Sequence, residues 1–512
     1  MNSTTINQSK NERWVLLVTV LASGMAFIDA TALNVALPAI QSQLHASGTE
    51  LLWIVNAYAI VTAALILFGG ALGDSFGRVR VFAIGIGLFV VASLGCALAF
   101  NTEALIVCRA FQGLGAALMI PGSLSLISTT FEPSRRGRAI GIWSAWSVVM
   151  TALGPIIGGL FADAGLWRAI FLINLPIGLL SLAILVKKVS LGSVGNRSQS
   201  LDYSGAFFSM LGLASLNYGL IEAATRGWSD HLVVASLVLS GGSLLAFLWN
   251  ESKSACPLLP LSLLRDRTFV VASQLTLCFY SGLYGMLFFL ALNLIQVQNY
   301  PASVAGLAQL PVMLMVILLS PLAGSIVDRY GPRVPLTIGG ILATCGFLLL
   351  ARPGLTTGAS EYWVHFFPPL ALLGIAMGMS AAPLSTTIMN AVPDSRIGVA
   401  SGINSTLSRL SSVFGIAVLG PIAIHLFSQS LLLQAKAFSL SHDIMTALDR
   451  ESRRLADAMP PPGMSPQITD AVDHAIRIAY VDAFRAVSCV AAAVVGLSTL
   501  LAAMLLERQS AP

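Results

Sequence analysis

Hydrophobic residues in this chain are gathered into long runs that short polar segments separate. Fourteen runs are long enough to cross a hydrocarbon layer of about 30 Å, which takes about 20 helical residues. Because unpaired backbone groups are costly in lipid, each run predicts a helix. The runs are residues 14–38, 51–71, 81–100, 104–130, 138–162, 169–187, 203–222, 231–250, 269–297, 301–327, 334–351, 363–392, 398–424 and 478–507.

Lysine and arginine fall mainly on one side of the membrane when these runs are taken as helices that cross it in turn. With the N-terminus in the cytoplasm, the short outer loops hold only Arg168, Arg226 and Arg352. The cytoplasmic segments hold Lys10, Arg13, Arg78, Arg80, Arg135, Arg136, Arg138, Lys187, Lys188, Arg197, Lys253, Arg265, Arg267, Arg329, Arg333, Arg396 and Arg508. Cytoplasmic loops carry such an excess of basic residues. The pattern therefore predicts fourteen helices with both termini in the cytoplasm.

One outer segment, residues 425–477, is long and polar. The part before Pro460 is able to form a helix, which the three successive prolines from Pro460 would end. We expect a solvated loop here. A lid outside the membrane or a contact with a partner is the functional alternative.

The composition excludes a soluble protein. Of the 512 residues, 56% are hydrophobic and 10% are charged, whereas soluble domains carry about 25% charged residues. The chain has no GxxxxGK[ST] pattern, so the sequence does not support transport driven by ATP. Six cysteines and six histidines are scattered without metal-ligand spacing, so we expect no disulfide framework, metal site or cofactor.

The two halves of the chain repeat each other weakly. Gly70, Asp74 and Gly77 return as Gly324, Asp328 and Gly331, with an offset of 324 − 70 = 254 residues, and Arg333 follows as Arg78 does. Ser134–Gly141 returns as Ser395–Gly402, with an offset of 395 − 134 = 261 residues. Such repeats are typical of transporters in which two helical bundles enclose a cavity. The sequence predicts an all-α membrane fold with six-helix bundles at 1–200 and 269–512 and two inserted helices at 201–268.

A single acid, Asp29, interrupts the first hydrophobic run. It lies 15 residues after Trp14, which is ~22 Å at about 1.5 Å per residue. An ionisable group at such a depth is costly and indicates a functional site. Arg109 in the fourth run has a similar depth. Because arginine keeps its charge, we predict that Asp29 carries the coupling proton; a static ion pair is the alternative.

The loop after the second run is the strongest local pattern. Its glycines permit close helix approach, and Asp74 is suited to cap a helix N-terminus. Its arginines are placed to pair with acids across the interface between bundles. We predict a conformational latch; ordinary loop charges are the alternative. The predicted latch comprises Gly70, Asp74, Gly77, Arg78, Arg80 and, from the repeat, Asp328.

Three motifs resemble those of a known family. The loop Gly70–Arg80 resembles the signature loop of the major facilitator superfamily. Asp29–Pro38 is similar to the first-helix motif of its fourteen-helix drug:proton antiporters, and Trp167–Gly178 to their sixth-helix hallmark. The resemblance covers nearly the whole chain except 425–477 and the tails. It implies alternating access and drug export in exchange for protons.

The resemblance also implies roles for residues in the fourth and fifth runs. Gly154, Pro155, Gly158 and Gly159 are similar to the antiporter motif of exporters. Small residues let helices pack closely and Pro155 permits a kink, so helix packing alone is the alternative. By resemblance, Arg109 belongs to a motif linked to proton transfer.

Other polar and aromatic residues in the runs are candidates for lining a drug cavity. Aromatic rings are able to contact a cationic drug through their faces. A structural or lipid-facing position is the alternative for each of them. The candidates are Asn34, Gln112, Gln274, Tyr280, Tyr284, Asn293, Asn404 and Arg409.

We therefore expect a proton-coupled exporter of amphipathic drugs, cations among them, in a bacterial inner membrane. Its partners would be the small-molecule substrate, protons and the lipid bilayer, and not nucleic acid. The resemblance is compatible with a periplasmic adaptor, because the family includes parts of tripartite pumps. A dedicated exporter of one antibiotic, siderophore or lipid is the alternative. A membrane enzyme is less favoured, since no cluster of nucleophiles or bases lies at one membrane face.

Overall fold

The computed structural model confirms the predicted number of helices. Fourteen of its described helices have the length and apolar composition to cross a membrane. The described residues are 3–46, 48–189, 202–254, 257–259, 261–300, 302–356, 358–435, 442–451, 458–461 and 465–506.

These helices are numbered α1 to α14 in chain order. They are Ser3–Leu44 (α1), Gly48–Phe76 (α2), Arg78–Leu98 (α3), Thr102–Thr130 (α4), Pro133–Asp163 (α5), Asn174–Lys188 (α6), Tyr203–Arg226 (α7), His231–Lys253 (α8), Arg267–Leu292 (α9), Leu310–Tyr330 (α10), Arg333–Leu350 (α11), Phe367–Asn390 (α12), Ile397–Ala435 (α13) and Pro466–Leu505 (α14). Shorter helical segments are Ala169–Leu172 before α6, Asn293–Val297 after α9, Ala302–Leu307 before α10, Tyr362–His365 before α12 and His442–Glu451 after α13.

Glycines separate α2 from α3 and α10 from α11 at equivalent positions of the repeat. Gly77 has a φ of 97° and Gly331 a φ of 77°, in the left-handed region that side chains other than glycine rarely adopt. Their offset, 331 − 77 = 254, equals that of the sequence repeat. The two tight turns are therefore a common feature of both halves.

The helices pack in two groups of six with the same pattern. In the first group α1 packs on α5, α2 and α3 pack on α4, and α6 packs on α1 and α3. In the second group α9 packs on α13, α10 and α11 pack on α12, and α14 packs on α9 and α11. The repeat seen in sequence is thus a repeat of helix packing. The predicted bounds of the two bundles, at residues 200 and 269, stay predictions.

The two groups meet through α2 against α13 and through α5 against α10. At one end their backbones touch at glycines. A Cβ atom added to Gly70 would lie 2.1 Å from the carbonyl oxygen of Gly398, and one added to Gly324 would lie 2.0 Å from that of Gly137. Only glycine permits such an approach. We call this end of the molecule the latch face, and in this structure it is closed.

The inserted helices α7 and α8 pack on each other, and α7 also packs on α2 and α13. Near the latch face, buried apolar residues join all four helices. We call this group the hairpin cluster; it comprises Leu67, Ala71, Ala206, Phe247, Leu258 and Val399. The insertion therefore contacts both of the helices that form one side of the closed interface.

The predicted outer loop at 425–477 is too long, because α13 continues to Ala435 and α14 begins at Pro466. Both extensions have an apolar stripe at intervals of about one helical turn. On α13 it includes Phe427 and Leu431, which lie in one buried cluster with Val472 and Ile476 of α14. The polar residues between these positions hid the stripe. Pro460 and Pro461 lie outside helices, as predicted, while 462 and 463 are outside the described residues.

We expect Gly398→Ala to open the latch face. The new Cβ would lie 2.3 Å from the Gly70 carbonyl oxygen and 2.6 Å from Asp74 Cγ, so the two helices must separate. In a cysteine-free background, electron spin resonance distances between labels at the exposed positions Phe76 and Ser395 should become longer.

Gly420→Ala on the same helix is the matched control, because nothing lies within 4 Å of the added atom. Its label distances should equal those of the parent. A Gly398→Ala protein with the parent's distances would contradict the glycine contact as the limit on closure.

Candidate functional site

Asp29 and Arg109 form a buried ion pair between α1 and α4. Their side chains are 0% and 1% exposed, and Nη1 of Arg109 donates a hydrogen bond to Oδ2 of Asp29. The structure thus brings together the two residues whose depths matched in the sequence. The pair lies inside the first helix bundle, among residues of α1, α2, α3, α4 and α6.

Two amides complete the hydrogen bonding of Asp29. Its Oδ1 atom accepts from Gln112 Nε2 at 3.2 Å and from Asn174 Nδ2 at 3.0 Å. Both amides also donate to the hydroxyl of Ser93, at 2.6 Å and 3.0 Å. Asn174 lies in the sixth-helix motif, which was the available signal for it. No sequence pattern indicated a role for Ser93, because single serines are common in membrane helices.

Arg109 is held by contacts with α2 and α4. Its Nε donates to the carbonyl oxygen of Ile54 at 3.2 Å, and Nη1 also donates to Gln112 Oε1 at 2.8 Å. The guanidinium lies 4.4 Å from the ring centre of Tyr58, a cation–π contact. A proton on Asp29 would leave Arg109 buried without its counter-charge, which is strongly unfavourable, so protonation must change the site.

Helix α5 lies tightly against α1 next to Asp29. A Cβ atom on Gly154 would lie 1.8 Å from Thr31 Oγ1, and one on Gly158 would lie 2.3 Å from the Ala32 carbonyl oxygen. Pro155 has no N–H group, so the carbonyl four residues earlier, that of Thr151, lacks its helical donor. The hydroxyl of Thr31 lies 3.1 Å from that oxygen and 2.9 Å from the Phe27 carbonyl oxygen of its own helix, and its one proton is shared between the two acceptors. The predicted motif therefore fixes the contact between α5 and α1.

Two of the predicted motif residues take less part in this contact. Gly159 is only in ordinary contact distance of α1, 3.8 Å from its added Cβ to Val35 Cγ1. The ring of Pro155 is exposed, so its effect on this interface acts through the backbone of Thr151.

The latch residues Asp74 and Asp328 each accept backbone hydrogen bonds near the start of a helix from the opposite bundle. Asp74 accepts hydrogen bonds from the N–H groups of Gly398 and Val399, both at 3.0 Å. Asp328 accepts from those of Gly137 and Arg138, at 2.8 Å and 3.0 Å. Asp74 thus faces the N-terminus of α13, where the helix dipole favours negative charge, and Asp328 lies against the second turn of α5. The two contacts are equivalents in the sequence repeat.

Two arginines add contacts to the latch, and both belong to the first bundle. Arg78 pairs with Asp74 at 2.8 Å and donates to the Asp394 carbonyl oxygen, which belongs to the opposite half of the chain. Arg136, which the sequence reasoning did not assign, donates to Asn390 Oδ1 at 2.8 Å. Arg80 is exposed and has no ion pair among the described residues. Gly77 supplies the turn after Asp74.

Three of the cavity candidates lie close together. The rings of Tyr280 and Tyr284 are stacked with centres 5.7 Å apart. Arg409 of α13 interacts electrostatically with the hydroxyl groups of Tyr284 and of Tyr58, the latter on the opposite bundle. Tyr280, Tyr284 and Arg409 of the second bundle therefore extend to Tyr58. The ring of Tyr58 also lies over the guanidinium of Arg109.

The other cavity candidates are dispersed. Gln112 belongs to the Asp29 network and is fully buried, not in a cavity between bundles. Asn293 is buried as well, and its Oδ1 accepts from Gln298 Nε2 at 3.1 Å in a brace after α9. The spacing of polar residues along a helix does not tell whether a side chain faces the interior of a bundle or a cavity between bundles. Asn404 is buried and donates to Ser385, Gln274 is half-buried beside Cys278 of its own helix, and Asn34 is exposed.

A comparison with protein families gives one match across most of the chain. Residues 19–416 match the family described as Major Facilitator Superfamily. The chain is 36% identical over 411 residues to the multidrug resistance protein Stp of Mycobacterium tuberculosis, spanning 79% of this chain and 75% of that protein. It is 31% identical over 466 residues to the methyl viologen resistance protein SmvA of Salmonella typhimurium, spanning 90% and 93%. It is 32% identical over 409 residues to the tetracenomycin C resistance and export protein of Streptomyces glaucescens, spanning 79% and 74%.

Solved structures show the same fold at low identity. The human organic anion transporter MFSD10 superposes with a TM-score of 0.60 at 14% identity, covering 96% of this chain and 99% of that one. The proton:xylose symporter XylE superposes with a TM-score of 0.58 at 15% identity, covering 95% of each chain.

The α1–α5 contact gives a matched pair of glycine variants. Gly158→Ala should lower the free energy of unfolding by about 1–3 kcal/mol, because the added methyl group overpacks the interface with Ala32. Gly159→Ala should have little effect, since its nearest neighbour is 3.8 Å away. The measurement is the thermal unfolding midpoint of both purified variants. Equal midpoints would contradict the close α1–α5 contact.

Proposed function

We propose that this chain, which belongs to the Major Facilitator Superfamily, takes up protons at Asp29 and exports amphipathic drugs in exchange. Family membership confirms the resemblance and the predicted transporter fold. The protein is a multi-pass membrane transporter of small molecules and not an enzyme. The observation that carries the proton-coupling proposal is the Asp29–Arg109 pair, fully buried and hydrogen-bonded by two amides.

The pair is suited to act as a switch between two states. Ionised Asp29 is stabilised by Arg109, Gln112 and Asn174. A proton on Asp29 removes the attraction, and Arg109 must then find another partner or water. Proton binding therefore favours a rearranged bundle. Proton loss restores the arrangement seen here.

Helix α5 is suited to transmit that rearrangement to the latch. Its middle contacts α1 two residues beyond Asp29, through Thr31 and Gly154. Its second turn donates two backbone N–H groups to Asp328 of the second bundle. A shift of α1 relative to α5 would therefore act on the interface between the bundles.

The orientation follows from the distribution of basic residues. We place the latch face and both termini in the cytoplasm of a bacterium, because most lysines and arginines lie on that side. The structure then corresponds to a state closed toward the cytoplasm. Opening toward the cytoplasm breaks both carboxylate–helix contacts, and such a contact in a partly buried geometry contributes up to about 2 kcal/mol.

The substrates we propose are amphipathic compounds that include aromatic cations. SmvA is named for resistance to methyl viologen, which is a dication, and Stp for multidrug resistance. Tyr284, which is exposed and stacked on the buried Tyr280, offers an aromatic face for a flat cation. The membrane potential adds work to the export: a potential of ~100 mV contributes about 2.3 kcal/mol for each elementary charge moved.

A dedicated exporter of one antibiotic is the second candidate. It is favoured by a relative that is named for a single compound, tetracenomycin C. The described residues and the relatives give no support for a periplasmic adaptor, and the proposed cycle needs none.

The function is tested with inverted membrane vesicles that carry a proton gradient. A panel of amphipathic cations, methyl viologen included, should be taken up by vesicles with the wild-type protein and should dissipate the gradient. Asp29→Asn should lose at least 90% of this gradient-driven uptake, since its side chain cannot bind the proton. Glu103→Gln, an exposed acid at the start of α4, is the control and should keep it.

Two results would decide against parts of the proposal. Full gradient-driven uptake by Asp29→Asn would remove Asp29 as the proton site. Uptake of a single antibiotic, with no transport of any cation in the panel, would establish the dedicated exporter.

A further inference from the structure

A second pair of buried carboxyl groups lies outside the Asp29 site, where the inserted helices meet the latch face. Asp202 precedes α7, and Glu251 lies in the last turn of α8. Their side chains are 8% and 4% exposed. Both lie against Gly205: a Cβ atom on that glycine would be 2.7 Å from Glu251 Oε1 and 3.1 Å from Asp202 Cγ.

Asp202 has the surroundings of a stable carboxylate. Its Oδ1 accepts from the Gly205 N–H at 2.8 Å and from the Ser204 hydroxyl at 2.7 Å, and its Oδ2 accepts from Asn250 Nδ2 at 2.6 Å. Burial raises the pKa of Asp202, but these hydrogen bonds, with one from Ser254, outweigh it and hold the pKa below its usual value. Asp202 is therefore ionised near neutral pH.

Glu251, in contrast to Asp202, accepts too few hydrogen bonds to stabilise an ionised carboxylate. The Leu259 N–H donates to its Oε2 at 3.0 Å, and the Leu258 N–H also lies close enough to favour the charged form. Its Oε1 is buried and accepts no hydrogen bond of good geometry among the described residues. An ionised Oε1 would be a buried, unpaired charge beside the negative charge of Asp202, and both effects disfavour it. A proton on Oε1 removes both the unpaired charge and its repulsion by Asp202. Two acids that share one site in this way hold one proton between them.

No basic side chain in the described part of the neighbourhood neutralises this pair. On α8, Lys253 lies over the ring of Trp249, with Nζ 4.1 Å from the ring centre. On α2, Asp74 pairs with Arg78. Before α13 come Asp394 and Arg396, and α9 is preceded by Arg265 and Asp266. None of these groups forms an ion pair with Asp202 or Glu251 in the described structure.

The pair is joined to the latch through the hairpin cluster. Ala206 and Phe247, one helical turn from Asp202 and Glu251, pack with Leu67 of α2 and Val399 of α13. The backbone N–H of Val399 donates to Asp74 in the latch. When α13 separates from α2, this cluster must divide, and water then reaches the carboxyl pair.

We infer that Asp202 and Glu251 form a second proton-binding site, which holds its proton on Glu251 while the latch face is closed and releases it when that face opens. The ligand is a proton, because one buried oxygen lacks a partner and the described residues hold no group of three or more His, Cys, Asp or Glu side chains that could bind a metal ion. The site goes beyond the proposed export function and does not depend on which compound is transported.

Infrared difference spectroscopy of the full-length protein in lipid tests the site without any transported compound. A pH jump from about neutral to alkaline should remove the carbonyl band of a protonated, buried carboxylic acid. The band should be absent in Glu251→Gln. It should persist in Asp29→Asn, which separates this site from the proposed proton site, and in Glu222→Gln, an acid at the opposite end of the same hairpin.

A band that is unchanged in Glu251→Gln would overturn the inference, as would its loss on adding Na⁺ or K⁺ at constant pH, which would indicate a metal-ion site. Asp202→Asn keeps Glu251 and provides a second variant if Glu251→Gln does not fold. Because a negative neighbour is removed, its band should disappear at a lower pH than in the wild type. An identical titration in both proteins would contradict the shared site.

The link to the latch is measured with the spin labels at Phe76 and Ser395. Raising the pH should lengthen the label distance in the wild type. Glu251→Gln keeps a neutral side chain at every pH, so its distances should stay short over the range in which the wild type changes. The same pH dependence in both proteins would contradict coupling of the carboxyl pair to the latch face.

Discussion

The ion pair between Asp29 and Arg109 is the interaction on which the rest of the structure depends. Two charges without water in a bundle interior are unfavourable unless each finds its partner and further hydrogen bonds. Here Gln112 and Asn174 saturate the carboxylate, and the ring of Tyr58 covers the guanidinium. The ionised pair is therefore stable as arranged. In the proposed cycle, one proton on Asp29 would remove the attraction between the two side chains, so a small chemical event would be followed by a rearrangement of the bundle.

The proposed rearrangement would be transmitted because the surrounding contacts have little freedom. Backbone meets backbone at Gly158 near the ion pair and at Gly324 on the latch face, both involving α5. A helix packed at two such points cannot yield at one without strain at the other. The latch consists of two equivalent contacts across the interface. Asp74 of the first bundle accepts from α13, and Asp328 of the second bundle accepts from α5. Both contacts must break together for the bundles to separate there.

Much of this arrangement could be predicted from the sequence, for physical reasons that differ between features. The helix count follows from the cost of unpaired backbone in lipid, and the Asp29–Arg109 contact from the cost of isolated charges there. The latch follows from an acid and glycines repeated 254 residues apart. The roles of Ser93 and Asn174 could not be derived, because polar side chains in membrane helices are common and only packing decides which way they point. For the same reason Gln112 was expected in a cavity and lies inside a bundle. The added turns of α13 and α14 were missed because their buried stripe is narrow and lies among polar residues.

The most direct test of the central claim, that Asp29 binds the coupling proton, is proton release from the purified protein in weakly buffered solution when a transported cation is added. The wild-type protein should release protons as the cation binds, because the cation favours ionised Asp29. Asp29→Asn should bind the same cation, measured by the change in tryptophan fluorescence, and release no protons. Proton release from Asp29→Asn equal to that of the wild type would place the coupling proton on another group.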